Sequence, residues 1–103
     1  MAVEVKDRRT SPFGLVYRSH IDTDAFRALP PCARIVYFVL TTYAGNAGRA
    51  WPKQSTLSAV SGYSPRAIRR AIAELDGAGF LLVDVRDPLS WRRTNVYTLI
   101  DPT

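Results

Sequence analysis

Between Ser61 and Gly79 the sequence SGYSPRAIRRAIAELDGAG marks both ends of one helix and the turn that leads into it. Ser64 has the side-chain oxygen that an N-cap requires. Pro65 suits the first helical position, where its missing N–H costs nothing and its φ is already helical. Gly77 and Gly79 supply the stop. Ahead of the cap, Gly62 can take the positive φ that a tight helix-to-helix connection demands. Within these limits Ile68, Ile72 and Leu75, with Ala71 beside them, form one apolar stripe, and Arg66, Arg69, Arg70 and Ala73 fall on other faces. Whatever fold the chain adopts must bury one side of this helix and leave its arginines outside.

The flanking segments supply partners for that stripe. After Pro52, KQSTLSAV reads as a helix of about two turns with Leu57 and Val60 facing inward. Arg49 to Trp51 can form a short strand ahead of it. From Ala33 to Tyr43 the run ARIVYFVLTTY is strongly apolar. Its Ile35, Val39 and Tyr43 recur every four residues, and Val36, Phe38 and Leu40 widen the stripe, so it is expected to be a mostly buried scaffold helix ended by Gly45, Asn46 and Gly48. Pro30 and Pro31 part it from a helical turn over Asp22 to Leu29, capped by Asp22 or Thr23, with Pro31 opening the longer helix. Phe13 to Tyr17, FGLVY, has β character and reads as a short strand or extended piece. Met1 to Pro12 is polar and of mixed charge and reads as a loosely held arm, so the folded domain is expected over 13–103. Downstream, Phe80 to Arg86 and Thr94 to Ile100 read as paired strands, and the DPLSWRR between them is too long for a two-residue turn. The expected core is Ile35, Val39, Leu57, Ile68, Ile72, Leu75, Leu81 and Val83.

A chain of 103 residues has room for one hydrophobic core, and its 47% apolar content favours a folded domain over disorder. The single cysteine, Cys32, excludes an intramolecular disulfide and suits a reducing compartment. No apolar run approaches the roughly 20 residues of a membrane span, and MAVEVKDRRTSP lacks a signal-peptide core, so a soluble cytoplasmic protein is expected. Catalysis finds few residues to use. His20 is the only histidine, no Cys/His cluster has metal spacing, and no GxxxxGK[ST] or GxGxxG phosphate loop occurs. His20 and Cys32 could pair as base and nucleophile, but a solvated histidine and a buried thiol are the ordinary outcome. A protein that is not an enzyme, with no cofactor and no metal, is therefore expected.

The net charge of +5 favours a polyanionic partner, and its distribution sharpens the point. Arg49 to Arg93 holds eight Lys/Arg against four Asp/Glu, whereas the rest of the chain holds six against five. Ser64, Pro65, Arg66, Arg69 and Arg70 occupy the first two turns of the basic helix, the part that reaches base edges when a helix enters a major groove. Arginine suits this because its planar fork bonds guanine O6 and N7 together, or a phosphate. The acidic Glu74 and Asp76 come only in the later turns. At the start of the preceding helix, Lys53, Gln54, Ser55 and Thr56 combine free backbone N–H groups with a cation and hydroxyls, which suits a phosphate, although Ser55 or Thr56 could simply cap that helix. Between the strands, Arg92 and Arg93 can lie along a phosphate backbone or enter a minor groove. Trp91 either packs on a sugar or, the commoner fate of a large aromatic, folds back on the core.

In ARIVYFVLTTYAGNAG, WPKQSTLSAVSGYSPRAIRRAIAELDGAGFL and RRTNVYTL, covering roughly 30–100, the chain resembles the winged helix-turn-helix family, most closely the compact domains of plasmid and phage replication or regulatory proteins. The resemblance implies an α+β fold, a three-helix core with a C-terminal β-hairpin wing. It also implies double-stranded DNA as partner, read by the helix at 64–76 and gripped by the wing, in transcription regulation or in replication or maintenance of a mobile element. No small-molecule effector and no membrane partner are expected. A homodimer on DNA stays open, since no long C-terminal helix for dimerisation is evident. The rival expectation is a winged-helix protein-interaction module within a larger nucleoprotein assembly, which would have no reason to collect positive charge on the groove-facing helix.

Overall fold

The computed structural model describes residues 14–44, 48–50, 52–85 and 95–100. Two single-turn helices, α1 (Arg18–Ile21) and α2 (Asp24–Arg27), precede the long α3 (Pro31–Ala44). A two-residue strand β1 (Arg49–Ala50), helix α4 (Gln54–Ser61), helix α5 (Pro65–Gly77) and strands β2 (Leu81–Val85) and β3 (Asn95–Leu99) follow. Of the two expected caps for α2, Thr23 does the work: its Oγ1 accepts from Phe26 N at 3.1 Å and donates to the His20 carbonyl at 3.1 Å. Pro31 opens α3 as expected. Of FGLVY, read as a short strand or extended piece, Phe13 lies outside the described residues, Gly14 to Val16 belongs to no strand, and Tyr17 is the N-cap of α1 with extended backbone (φ −80°, ψ 135°).

Helix α3 is the scaffold, packed on α4, α5, β1 and β3, but it is rotated from the expected orientation. Its buried line is Ala33, Val36, Tyr37, Leu40, Thr41 and Ala44. Ile35 and Tyr43 are 42% and 46% exposed, and Val39 is half-buried. Because α3 is apolar almost all round, periodicity alone cannot choose its inner side. Aromatic packing chooses it: Tyr37, Phe26 and Phe80 meet edge to face with centroids 5.7–5.8 Å apart, which turns Tyr37 and its neighbours inward.

Helix α4 is rotated for a different reason. Leu57 is fully buried as expected, but Val60 is 57% exposed. Hydrogen bonds draw the other side of the helix inward: Gln54 to the Tyr97 hydroxyl, Ser58 Oγ to the Tyr63 carbonyl, and Tyr63 N to Ser61 Oγ. Three polar contacts thus outweigh the burial of one valine.

The α4–α5 turn and the exit of α5 follow the expected chemistry. Gly62 closes α4 at φ 80°, and its N–H donates to the Ser58 carbonyl. Ser64 caps α5, with Oγ accepting from Ala67 N at 3.2 Å and Pro65 at the first position. At the far end Gly79 takes φ 84° and donates to the Asp76 carbonyl, while Phe80 N reaches back to the Leu75 carbonyl at 3.0 Å. This is a Schellman motif, and the buried Leu75 and Phe80 are its accompanying apolar pair. Ile68, Ala71, Ile72 and Leu75 are buried against the domain, as the stripe predicts.

The sheet has order β1-β3-β2 and is antiparallel throughout. Leu81 faces Leu99, Val83 faces Tyr97, and Ala50 meets Tyr97 from the other edge, so these side chains share the inner face. Leu81 and Tyr97 are fully buried, while Val83 and Leu99 pack at the margin of the core. Helices α3, α4 and α5 with their tight turn, and the antiparallel sheet that β2 and β3 complete after them, make an α+β winged helix-turn-helix.

Candidate nucleic-acid interface

The burial of one side of α5 decides where its cations go. Arg66, Arg69 and Arg70 are three and four residues apart on the opposite side, all exposed, in the first half of the helix. Arg66 and Arg69 pair with no described acid. Arg70 is different: its Nε lies 3.3 Å from Glu74 Oε1, although its side chain remains 83% exposed. The acidic residue expected to stand apart from the arginines therefore touches one of them. Arg70 is exposed and Glu74 only half-buried, and the Arg-before-Glu order is the weaker one along a helix, so the pair holds Arg70 loosely.

The beginning of α4 is built without a side-chain cap. Lys53 occupies the N-cap position with extended backbone (φ −67°, ψ 152°), and its carbonyl receives Leu57 N at 3.0 Å. Ser55 and Thr56 lie within the first turn, so neither is the cap. The first-turn N–H groups of any helix lack intrahelical acceptors, and here Lys53 and Ser55 stand exposed beside them. Gln54 is half-buried and spends its side chain on Tyr97, whose hydroxyl also accepts from Asn95 Nδ2 at 3.3 Å. Burial raises the Tyr97 phenol above its ordinary range, and the two hydrogen bonds partly oppose that. Gln54 therefore ties α4 to the central strand. A polar residue at a helix start reads the same in sequence whether it serves a ligand or the core.

Trp91, Arg92 and Arg93 lie outside the described residues, as does Trp51. A feature missed by sequence reasoning is Arg49. It is exposed on β1 and lines, with Tyr43, Ala50 and Pro52, an open cleft of about 320 Å³. Its only sequence signal was an arginine at the start of a predicted strand.

The histidine and the thiol differ from expectation. His20 is buried, 5% exposed, with Nδ1 3.3 Å from the Tyr37 hydroxyl, and its ring packs on Tyr17. Cys32 is half-buried, with Sγ 3.7 Å from the Ala67 carbonyl on α5. Burial raises its pKa, and negative Glu74 raises it further, so the thiolate that nucleophilic chemistry needs is disfavoured.

With this geometry in view, the chain belongs to the helix-turn-helix domain family, which matches residues 27–81, just over half of its length. A solved structure described as the N-terminal domain of a DNA-binding protein superposes with a TM-score of 0.59 at 14% identity. The match covers 79% of this chain and 68% of that one, and it establishes likeness of fold. No curated protein matches the sequence. Among the described residues, no group of three His, Cys, Asp or Glu could hold a metal ion, and no helix is long and apolar enough to cross a membrane.

Proposed function

We propose that the chain binds double-stranded DNA in a sequence-selective way, with α5 in the major groove. The observation that carries this reading is the division of α5: Ile68, Ala71, Ile72 and Leu75 are buried, while Arg66, Arg69 and Arg70 project from its first half. A helix held on one side and cationic on the other, preceded by a tight turn and a second helix start, suits groove entry and backbone contact together. In this reading Ser64 and Pro65 set the approach of the helix end, Arg66 and Arg69 reach base edges, and Arg70 serves a phosphate or a base. Lys53, Ser55 and Thr56 take a backbone phosphate, Gln54 holds their helix in place, and Trp91, Arg92 and Arg93 follow the backbone from the β2–β3 connection. Membership of the helix-turn-helix family, and the description of the similar solved structure as part of a DNA-binding protein, support the same partner. The unit carrying the activity is 13–103, and its role is in transcription regulation or in replication or maintenance of a mobile element in the cytoplasm.

Selection of bound duplexes from a random pool at low salt tests the proposal. A consensus should emerge, and its affinity should fall with salt at a log–log slope of about −4 to −5, as roughly four to six phosphate contacts imply. Failure to enrich any duplex, or binding indifferent to salt, overturns it.

A further inference from the structure

Arg66, Arg70 and Glu74 follow one another at four-residue spacing along α5, so they form a single ridge on the helix surface. The two members of the Arg70–Glu74 pair are held differently. Glu74 is 29% exposed and sits close enough to Cys32 of α3 to disfavour its thiolate, so the carboxylate is the anchored member. Arg70 is 83% exposed, and the contact, 3.3 Å from Nε to Glu74 Oε1, uses only one of its nitrogens. The two Nη groups at the end of the guanidinium stay available to a second acceptor. An α-helix with its side chains is about 10–12 Å wide and the major groove about 12 Å, so a helix lying there brings base edges and phosphate oxygens alike within an arginine's reach. Position alone leaves the partner of Arg70 undecided, and charge decides it.

We infer that Glu74 makes Arg70 a reader of guanine and not a phosphate contact, a role that rests on the placing of α5 in the major groove. A phosphate on Arg70 would set two anions on one cation. The guanidinium charge already answers the carboxylate, so less of it is left to attract a phosphate. The two anions also repel each other more strongly where the groove excludes water. Guanine makes no such demand. Its O6 and N7 are neutral acceptors side by side, and they need two aimed N–H groups, which the free Nη pair supplies. The contact with Glu74 is loose in water, but it need not hold the arm rigidly to act in this way, since it works on the relative energies of the two partners. Arg66 and Arg69 have no described acid beside them, so their nearness to the start of the helix governs what they meet.

The test takes the whole chain with the duplex selected from a random pool and with a scrambled one. Fluorescence anisotropy over a range of salt compares the parent with Glu74→Gln, Arg70→Ala and the double variant. Glutamine keeps the shape of Glu74 and removes its charge, and melting curves should match that of the parent because neither residue belongs to the core. Arg70→Ala should cut the preference for the selected duplex by roughly 5- to 150-fold and relax it at one G·C pair. Glu74→Gln should relax the same position. It should also raise affinity for the scrambled duplex by up to about tenfold near 0.1 M salt and steepen its salt slope by about one, because a guanidinium released from its carboxylate takes a phosphate. In the Arg70→Ala background the same change should alter affinity by less than about twofold, since its route through the arginine is gone. A Glu74→Gln variant that keeps both base preference and salt slope overturns the inference. So does one whose effect is equal with and without Arg70, which would make Glu74 a plain source of repulsion. A parent chain that enriches no duplex removes the groove assignment, and this inference with it.

Discussion

Replacing Arg66 or Arg69 with alanine separates reading of bases from attraction to phosphates. The two residues are three apart on α5, about 4.5 Å along the helix axis. The base-pair rise is about 3.4 Å, so two such side chains in a major groove address neighbouring base pairs. Each bidentate contact discriminates by about 1–3 kcal/mol, which corresponds to a loss of roughly 5- to 150-fold in affinity for the selected duplex. The structure indicates that this loss would not be confused with unfolding. Both side chains are exposed, neither pairs with a described acid, and alanine is at least as good a helix former as arginine, so stability should change by less than about 0.5 kcal/mol. Fluorescence anisotropy at one fixed salt concentration, with the selected duplex and a scrambled one, gives the comparison. The selected duplex should lose most of its advantage, and the preferred base at one position should relax. Equal weakening on both duplexes would show that these arginines only neutralise phosphates. No change on either would remove α5 from the interface.

Other expectations follow from packing and titration. Leu75→Ala should cost about 2–5 kcal/mol because the side chain is fully buried, while Ile35→Ala should cost well under 1 kcal/mol in the monomer; urea midpoints showing equal losses would restore the burial of Ile35 expected from sequence. Gly14→Ala should destabilise by about 1–3 kcal/mol, because its new methyl would collide with the backbone of Thr41 and Thr42, and an unshifted melting temperature would mean that the 14–17 segment is not docked. Alkaline pH should weaken the fold. Burial raises the phenols of Tyr37 and Tyr97, so the folded state holds its protons where the unfolded chain loses them. Their contribution is complete below about pH 10 and declines as pH rises above it. Tyr97→Phe should show a shallower loss over that range in pH-dependent urea titrations, and an unchanged slope would refute the assignment.

Local chemistry made most of the chain's course legible. Ser64-Pro65 and the paired Gly77 and Gly79 placed the ends of α5 because caps and stops depend on a few adjacent residues. Pro31 and Gly62 did the same for α3 and for the turn after α4. Rotation about the helix axes was harder to foresee. In α3 nearly every position is apolar, so the choice between Ile35 and Val36 as the inward residue depends on Phe26 and Phe80, which are distant in sequence. In α4 the inward side is chosen by hydrogen bonds that involve Gln54, Ser58 and Ser61, which look like surface residues. The pairing of β1 with β3, Arg49 with Thr98 and Ala50 with Tyr97, spans almost half the chain, and no local pattern announces it.

The candidate site was legible wherever its residues had to be exposed for reasons of core packing. Once Ile68, Ile72 and Leu75 are committed to the interior, Arg66 and Arg69 have no other place to go. Arg70 obeys the same constraint but meets Glu74 at the surface, whereas Gln54 lacked it and is spent on Tyr97. Those contacts imply an order within the interface. Tyr97 sits at the centre of the sheet and bonds both Gln54 at the start of α4 and Asn95 at the start of β3. The helix end offered to a phosphate and the strand emerging from the β2–β3 connection are thus fixed to one buried hydroxyl. Loss of that hydroxyl should loosen both elements together and leave the start of α5, capped by its own Ser64, in place. A duplex bound by Tyr97→Phe should therefore keep its base preference and lose affinity, because the arginines that would read bases stand on the part of the domain that this hydroxyl does not hold.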